Sequence, residues 1–569
     1  MAPNPTDRTQ AESESFSCNT HQVIPCDSDD IERLIEFVQQ FVALEMDSVK
    51  SENVLRTQNA QEESLGIAEK LNCPGPRHPT PPFVYAEKLK NFSFSSSGSV
   101  AGGTNGILST LIQGALRPQS PNFLLNICPD PIPIATVASC WAIYHNINGI
   151  MDSYGGESLL TEQMVARELG SWVGWDNAGG TVDAGGKHTM VYALRLALAR
   201  TIPDYLRSGV CKDSIIIVSE GAHYSLAHAA TIVGIGTSAC WPVPMDADNA
   251  MDIEALRRRL HQAWETDLIV SAVICCAGST IDCHCDDLKQ VRDTVLDVLA
   301  EYPGKPVPLL HADAVIGWQY LSLEETTLIS ELENCQSRAG TRISSMRHLL
   351  VGLHDFDTFG VDFHKNGLAP VGASFFVSKD DSFMNTLSLE RTGDLGSLSF
   401  GQHRAYRYTL ENSRDLHGVA GAAAVLTDLG RSGIAQYLVD LQNTRDHFED
   451  AVHSSVYFEC PERTSLGWEI LVRLFHPNNE GKSGVTAPSQ EVCGFVDWLS
   501  DLTFEGLNVP LVGKLSDAKE TFVLLYPMKA YSRKQTADII SYLEELWLYY
   551  LRQGFTKSLH FSDEAVPIR

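Results

Sequence analysis

The chain has no excess of positive charge: 43 lysines and arginines stand against 71 aspartates and glutamates, a formal net charge of -28 over 569 residues. Nucleic acids and anionic membranes are held by clustered cations, so this deficit argues against both as partners. Long apolar runs are also missing. The nearest, Leu124 to Tyr144, carries Asp130 and three prolines, and falls short of the roughly 20 apolar residues that cross a bilayer. The opening stretch MAPNPTDRTQAESESFSC has neither an apolar segment nor an Arg-rich amphipathic pattern, so the cytoplasm is the expected compartment. There is no internal repeat. Fourteen cysteines in so long a chain form no disulfide framework and read as reduced thiols. Cys283-His284-Cys285 groups metal-ligand types, but adjacent residues cannot close a tetrahedral site and no second pair follows at suitable spacing, so no metal is expected.

What is present is core material. With 44% hydrophobic and 20% charged residues, the chain is expected to be globular, and at roughly 150 residues per domain its length allows about four domains or one large lobed enzyme. Residues 1–30 are polar and read as a disordered tail. Ile31, Leu34, Ile35, Val38, Phe41 and Leu44 then recur at three- and four-residue steps, which predicts a helix, and a Pro-, Ser- and Gly-rich connector covers about 73–104. From about 160 to 380, SIIIVS (214–219), LIVSAVICC (268–276) and VPLLHAD (307–313) alternate with helical stretches at 251–265 and 285–302. Continuous apolar strands separated by helices predict an α/β fold with a mainly parallel sheet covered on both faces. Ligands bind such sheets beyond the carboxyl ends of the strands. After about 415, a small-residue helix, the strands WEILVRLF and TFVLLYP, and a long helix at 533–552 predict a separate α+β lobe.

Four segments carry chemistry. In DNAGGTVDAGGKHTMVY, Gly185 and Gly186 open a predicted helix, whose first amides and dipole suit a phosphate; an ordinary turn is the alternative. His223 follows the strand SIIIVS and suits stacking on a flat cofactor or proton relay, or a purely structural hydrogen bond. Asp313 ends a strand next to His311 in LLHAD. Its burial costs several kcal/mol unless a partner compensates it, and a helix cap is the competing explanation. Lys365 lies among Phe363, Leu368 and Phe375, apolar surroundings that favour a neutral, Schiff-base-forming amine; a surface lysine at a strand edge is the alternative.

The order of these segments resembles that of the group II pyridoxal-phosphate-dependent amino-acid decarboxylases, a fold-type-I family that includes the glutamate and aromatic-amino-acid decarboxylases. The similarity runs from about Pro121 to Arg414 and more weakly to the C-terminus. Its most specific piece is Asp357-Thr358 to His364-Lys365, similar to an Asp-Ser-…-Asp-x-His-Lys segment. His223-Tyr224-Ser225, His311-Ala312-Asp313-Ala314, Gly278-Ser279-Thr280, Ser158-Leu159-Leu160-Thr161-Glu162 and Leu410-Glu411-Asn412-Ser413-Arg414 support it. The resemblance implies a fold-type-I architecture: a tail (1–30), an N-terminal helical arm and linker (31–120), a large cofactor domain (121–414) and a small C-terminal α+β domain (415–569). It implies pyridoxal 5'-phosphate held by Lys365 as an internal aldimine, Asp313 on the pyridinium nitrogen and His223 on the ring face. The backbone of Gly186, Lys187 and His188, the Thr189 hydroxyl and His364 would bind the phosphate, with Ser279 or Thr280 on the ring oxygen or the lysine linkage. The implied reaction is decarboxylation of an L-amino acid to an amine and CO2 by a homodimer.

Departures from the family pattern keep other outcomes open. Lys187 replaces a small hydroxyl residue and Asn366 a frequent Trp. The spacing of 52 residues between Asp313 and Lys365 suggests an inserted helical segment at about 319–350. Residues 380–405 contain no tyrosine to match the family's mobile-loop proton donor, which leaves Tyr406, Tyr408 or His403. If Phe400 takes that place, aldehyde synthesis or side-chain lyase chemistry on the same scaffold becomes an alternative. A non-catalytic homologue acting as a binding protein is another.

Overall fold

The computed structural model describes residues 115–554 apart from 211–212, 324–336, 390–402, 478–482, 505–507 and 518, together with Gln39, Leu89 and Lys90. The chain divides into two compact units, residues 1–74 with 79–115 and residues 75–78 with 116–569; the second holds both sheets. Apart from those three isolated residues, the expected tail, N-terminal helix and connector lie outside the described residues.

Eight strands come first: β1 (Phe123–Leu124), β2 (Gly179–Asp183), β3 (Ser214–Ser219), β4 (Cys240–Val243), β5 (Ile269–Cys276), β6 (Leu309–Asp313), β7 (Thr358–Asp362) and β8 (Ser374–Ser378). Seven of them form one sheet in the order β2-β8-β7-β6-β5-β3-β4. Pairings from β4 through β7 are parallel, and β8 alone runs against its neighbours. The expected mainly parallel sheet is therefore observed. Its apolar runs dictate it: all six residues of SIIIVS and seven of the eight in IVSAVICC are buried, as helices on both faces require. Asp252 and Asp287 start two covering helices, Ile253–Glu265 and Leu288–Ala300, by accepting the amides of Ala255 and Gln290 at 2.9 Å, the usual N-cap arrangement.

The C-terminal sheet adds β9 (Phe458–Glu459), β10 (Ile470–Pro477), β11 (Ser483–Thr486), β12 (Leu511–Ser516) and β13 (Thr521–Leu525). Its order is β1-β12-β13-β10-β11, with β9 beside β10, so Phe123 and Leu124 extend this sheet by parallel pairing with Leu511 and Val512. The helix Arg533–Gln553 begins in a capping box of Ser532 and Gln535. Within the segment expected as an insertion, a helix spans Arg338–Leu350. It docks through Arg342, whose Nη2 lies 2.6 Å from Asp446 Oδ1 on the helix Gly430–His453; residues 324–336 lie outside the described residues. Among the described residues no helix is long and apolar enough to cross a membrane.

One buried ion pair ties the sequence ends of the larger sheet together. Arg414 Nη1 and Nη2 donate to Glu162 Oε1 and Oε2 at 2.6 and 2.8 Å, and Nη1 also reaches Thr181 Oγ1 and the Val182 carbonyl. Glu162 Oε1 in turn accepts the Val182 amide at 2.7 Å. The pair is bidentate and its leftover valences are filled, the condition under which buried charge is tolerated; removing one member of such a pair costs about 3–5 kcal/mol. Two segments that looked like separate family markers, 158–162 and 410–414, are the two halves of this contact.

Candidate active site

The carboxyl ends of β3, β5, β6 and β7 bring most of the anticipated residues together. β7 ends at Asp362 and runs directly into a single helical turn, Phe363–Asn366, that carries Lys365. The turn is anchored by the Phe363 amide on the Ala373 carbonyl at 2.8 Å. It is also anchored by Asn366, which accepts from Trp318 Nε1 at 2.9 Å and donates to the Ile316 carbonyl at 2.6 Å and to Gln319 Oε1 at 3.1 Å. That network explains the departure at Asn366: a buried amide with every contact filled replaces a large ring.

The apolar setting expected for Lys365 is only part of its surroundings. Phe363 is buried, but Lys365 Nζ lies 2.9 Å from Asp362 Oδ2, close enough for an ion pair although that oxygen has no hydrogen bond of good geometry. Asp362 Oδ1 accepts from Ser374 Oγ at 2.5 Å, and His364 Nε2 stands 3.8 Å from Oδ2. Burial, ahead of the neighbouring charges, pushes the His364 pKa down, while the Asp362 charge and a hydrogen bond with the Ala373 backbone oppose the shift. Asp362 belongs to the quoted motif yet was given no role; its position three residues before the lysine, on one turn, was the available signal.

Asp313 ends β6 opposite Cys276 of β5. It is 7% exposed, accepts the Val315 amide, and its pKa is raised to about 6 by burial, with Asp362 adding to the rise and Lys365 opposing it. It caps no helix: the short helix that follows begins at Gly317 after Ile316. His223 lies past β3, where Nδ1 accepts the Ser225 amide at 3.3 Å and lies 2.9 Å from Ser225 Oγ. That network assigns the ring proton to Nε2, and burial first, then Lys365, hold the pKa below its ordinary value.

Gly186 opens the helix Gly186–Thr201. A Cβ there would lie 2.9 Å from Val315 Cγ1 and 3.0 Å from Asp362 Oδ2, so a larger residue would push on these strand-end side chains, whereas nothing stands within 4 Å of a Cβ at Gly185. The His188 amide, expected to face an anion, donates to the Gly185 carbonyl at 2.8 Å, and its ring Nδ1 is 2.7 Å from Asp183 Oδ1. The Gly186 and Lys187 amides remain first-turn groups without intrahelical acceptors. Thr189 Oγ1 donates to the Gly186 carbonyl at 2.7 Å. Ser279 and Thr280 lie beyond β5; the Ser279 hydroxyl contacts the Ile281 carbonyl and His284 Nδ1, and the Thr280 carbonyl accepts from Tyr526. Of the alternative proton donors, Tyr408 is buried with its hydroxyl 3.0 Å from His403 Nε2, and Phe400 lies outside the described residues.

Asp286 escaped the sequence reading. It is fully buried and accepts the Cys276 amide at 2.7 Å, the Met251 amide at 2.8 Å and the Ser219 hydroxyl at 3.1 Å, pinning the ends of β3 and β5 side by side. No group of three or more His, Cys, Asp or Glu suited to a metal occurs among the described residues.

A seven-stranded, mainly parallel sheet with a separate C-terminal α+β sheet is the architecture of the fold-type-I pyridoxal-phosphate enzymes. The family model described as the pyridoxal-dependent decarboxylase conserved domain matches residues 157–468, more than half of the sequence, and the chain belongs to that family. It is 27% identical over 299 residues to an aspartate 1-decarboxylase of Aliivibrio fischeri, covering 52% of this chain and 47% of that one. It is 26% identical over 256 residues to a cysteine sulfinic acid decarboxylase of Rattus norvegicus, covering 44% and 45%. The chain thus spans about half the length of the curated relatives it matches. In three dimensions it resembles the crystal structure of mouse CSAD, with a TM-score of 0.69 at 18% identity over 91% of this chain and 99% of that one.

Pyridoxal phosphate is the cofactor of the family, and the residues present fit it. Asp313 is a buried carboxylate that Lys365 offsets only in part, and a glycine turn that opens a helix, with open space at Gly185, stands against Asp362 through Gly186.

The Asp313 carboxyl yields a stability prediction. With a pKa of about 6 in the fold against 3.8 when exposed, the folded chain keeps a proton that the unfolded chain loses between about pH 4 and 6. Its penalty therefore grows through that window and is complete above it, on the order of 2–3 kcal/mol. Asp313→Asn raises the Tm of the cofactor-free chain by a few degrees at pH 8, with the gain vanishing below about pH 4, in thermal melts across pH. An equal or lower Tm at pH 8 contradicts this.

Proposed function

We propose that the chain decarboxylates an L-amino acid to the corresponding amine and CO2, using pyridoxal phosphate. The observation that carries this reading is Lys365, held 2.9 Å from the buried Asp362 and acting on Asp313 at the carboxyl edge of the larger sheet. Pyridoxal phosphate, when bound, would supply an electron-accepting ring for the loss of the carboxyl group. Lys365 holds the cofactor covalently through its ε-amine. Asp313 accepts a hydrogen bond from the ring nitrogen and keeps a proton on it, which also satisfies the carboxylate. His223, neutral, packs on the ring face. The amides of Gly186 and Lys187 and the His364 side chain serve the phosphate at the helix start, with the His188 side chain beside them and Ser279 and Thr280 at the neighbouring strand end; the Thr189 hydroxyl, bonded to the Gly186 carbonyl, braces that turn instead.

The matched relatives are named for aspartate and cysteine sulfinic acid, so acidic amino acids head the substrate panel, followed by aromatic ones. Trapping CO2 and amine from the purified, pyridoxal-phosphate-loaded chain is expected to show one-to-one release with at least one amino acid, falling to background in Lys365→Ala. A carbonyl product with ammonia, or turnover surviving in Lys365→Ala, contradicts the reading.

The active form in this reading is a homodimer. Helices Pro133–Tyr144 and Glu157–Ser171 both pack on the helix His417–Asp428 and leave Val137, Trp141 and Met164 exposed by 62, 56 and 59%. Apolar surface of this kind marks an association face. Sedimentation velocity is expected to show a dimer that Trp141→Asp converts to monomer; a monomeric wild type at micromolar concentration contradicts it.

A further inference from the structure

Cys283-His284-Cys285 has no part in the chemistry above. The two thiols are buried, whereas the His284 side chain bridges the turns that follow two adjacent parallel strands. Its Nδ1 is 2.7 Å from Ser279 Oγ, and its backbone amide donates to the same oxygen at 3.1 Å. On its far side the ring presses on Gly221, in the turn that leads from β3 to His223. A Cβ on Gly221 would lie 1.9 Å from His284 Nε2 and 2.6 Å from Cε1, so no residue but glycine fits while the imidazole is there.

The path of the chain between Ser279 and His284 is unusual. Asp282 and Cys283 both adopt left-handed conformations, with φ of 68° and 46°, which cost a non-glycine residue on the order of 1 kcal/mol or more each. The C-terminal sheet and the segment before it hold this loop in place. Asp282 pairs with Arg463, the Asp282 amide donates to Glu469 Oε1 at 2.9 Å, the Leu466 amide donates to the Asp282 carbonyl at 2.8 Å, and Tyr526 Oη donates to the Thr280 carbonyl at 2.9 Å. The tight return of the loop is what sets His284 over Ser279 and against Gly221.

We propose that His284 is a positioning residue for the cofactor site: by filling the gap between Gly221 and Ser279 it fixes the spacing between the His223 turn and the Ser279-Thr280 turn. The crevice wall formed past β3 and β5 then has one width, set by the imidazole and locked by the C-terminal lobe. Its bearing on the cofactor rests on the function proposed above; the contact of His284 with Gly221 does not.

Three full-length variants test it: His284→Ala, Gly221→Ala and the double substitution. His284→Ala is expected to raise the Kd for pyridoxal phosphate, titrated by absorbance, roughly tenfold, as loss of outer positioning contacts does. Gly221→Ala, which forces a Cβ into the ring, is expected to lower the Tm of the cofactor-free chain and raise that Kd at least as much. The double substitution returns both quantities to the His284→Ala values, because the added methyl then occupies the space left by the imidazole. His284→Asn, whose amide can bond to Ser279, recovers part of the affinity. Unchanged affinity in His284→Ala, or Gly221→Ala and His284→Ala effects that simply add, overturns the proposal. If His284→Ala does not fold, His284→Asn, which can keep the bond to Ser279 but not the width of the ring, must still raise the same Kd above wild type; an unchanged value there overturns it equally. A wild-type chain that binds no pyridoxal phosphate defeats the functional reading instead, and the clamp is then decided by whether the Tm effects in the cofactor-free chain are non-additive.

Discussion

Two buried carboxylates share one lysine at the carboxyl edge of the sheet, and the organisation of the site follows from that imbalance. Asp362 and Asp313 are almost fully shielded from solvent, Lys365 stands 2.9 Å from the first and only partly offsets the second. A buried negative charge without a full partner costs several kcal/mol, so a fold keeps such a group where a ligand supplies what is missing. In the proposed function, the cofactor's ring N–H is what meets that requirement at Asp313. Gly186 lets the helix start close against Asp362 and Val315.

Holding these groups in register falls to structure lying just outside the crevice. Asp286 gathers the ends of β3 and β5, and the bidentate Glu162–Arg414 pair joins the helix Glu157–Ser171 to β2 and to the segment leading into the C-terminal helices. Asn366 locks the lysine turn to Trp318. Each is a buried polar group with its valences filled, the form in which interior polarity specifies geometry without leaving an unpaired charge.

Much of this was legible in the sequence. SIIIVS is β3 residue for residue, and the apolar runs ending at Cys276 and Asp313 end as β5 and β6 do, because a strand buried on both faces has to be apolar throughout. Lys365, Asp313 and His223 were readable as residues of costly chemistry at strand ends, and the structure brings them within electrostatic reach of one another. What escaped was long-range. Nothing local says that Glu162 meets Arg414, that two residues at 123–124 join the C-terminal sheet, or that His284 rests on Gly221. Asp362 is hidden in a different way: the apolar neighbours of Lys365 dominate the local sequence, while the carboxylate that pairs with it stands one turn back.

The claim on which this account depends is that Lys365 is the lysine that takes the cofactor. Borohydride reduction of the chain loaded with pyridoxal phosphate, followed by peptide mapping, locates the attachment directly. The account predicts a single stoichiometric adduct on Lys365; an adduct on Lys187 or another lysine, with Lys365 unmodified, contradicts it.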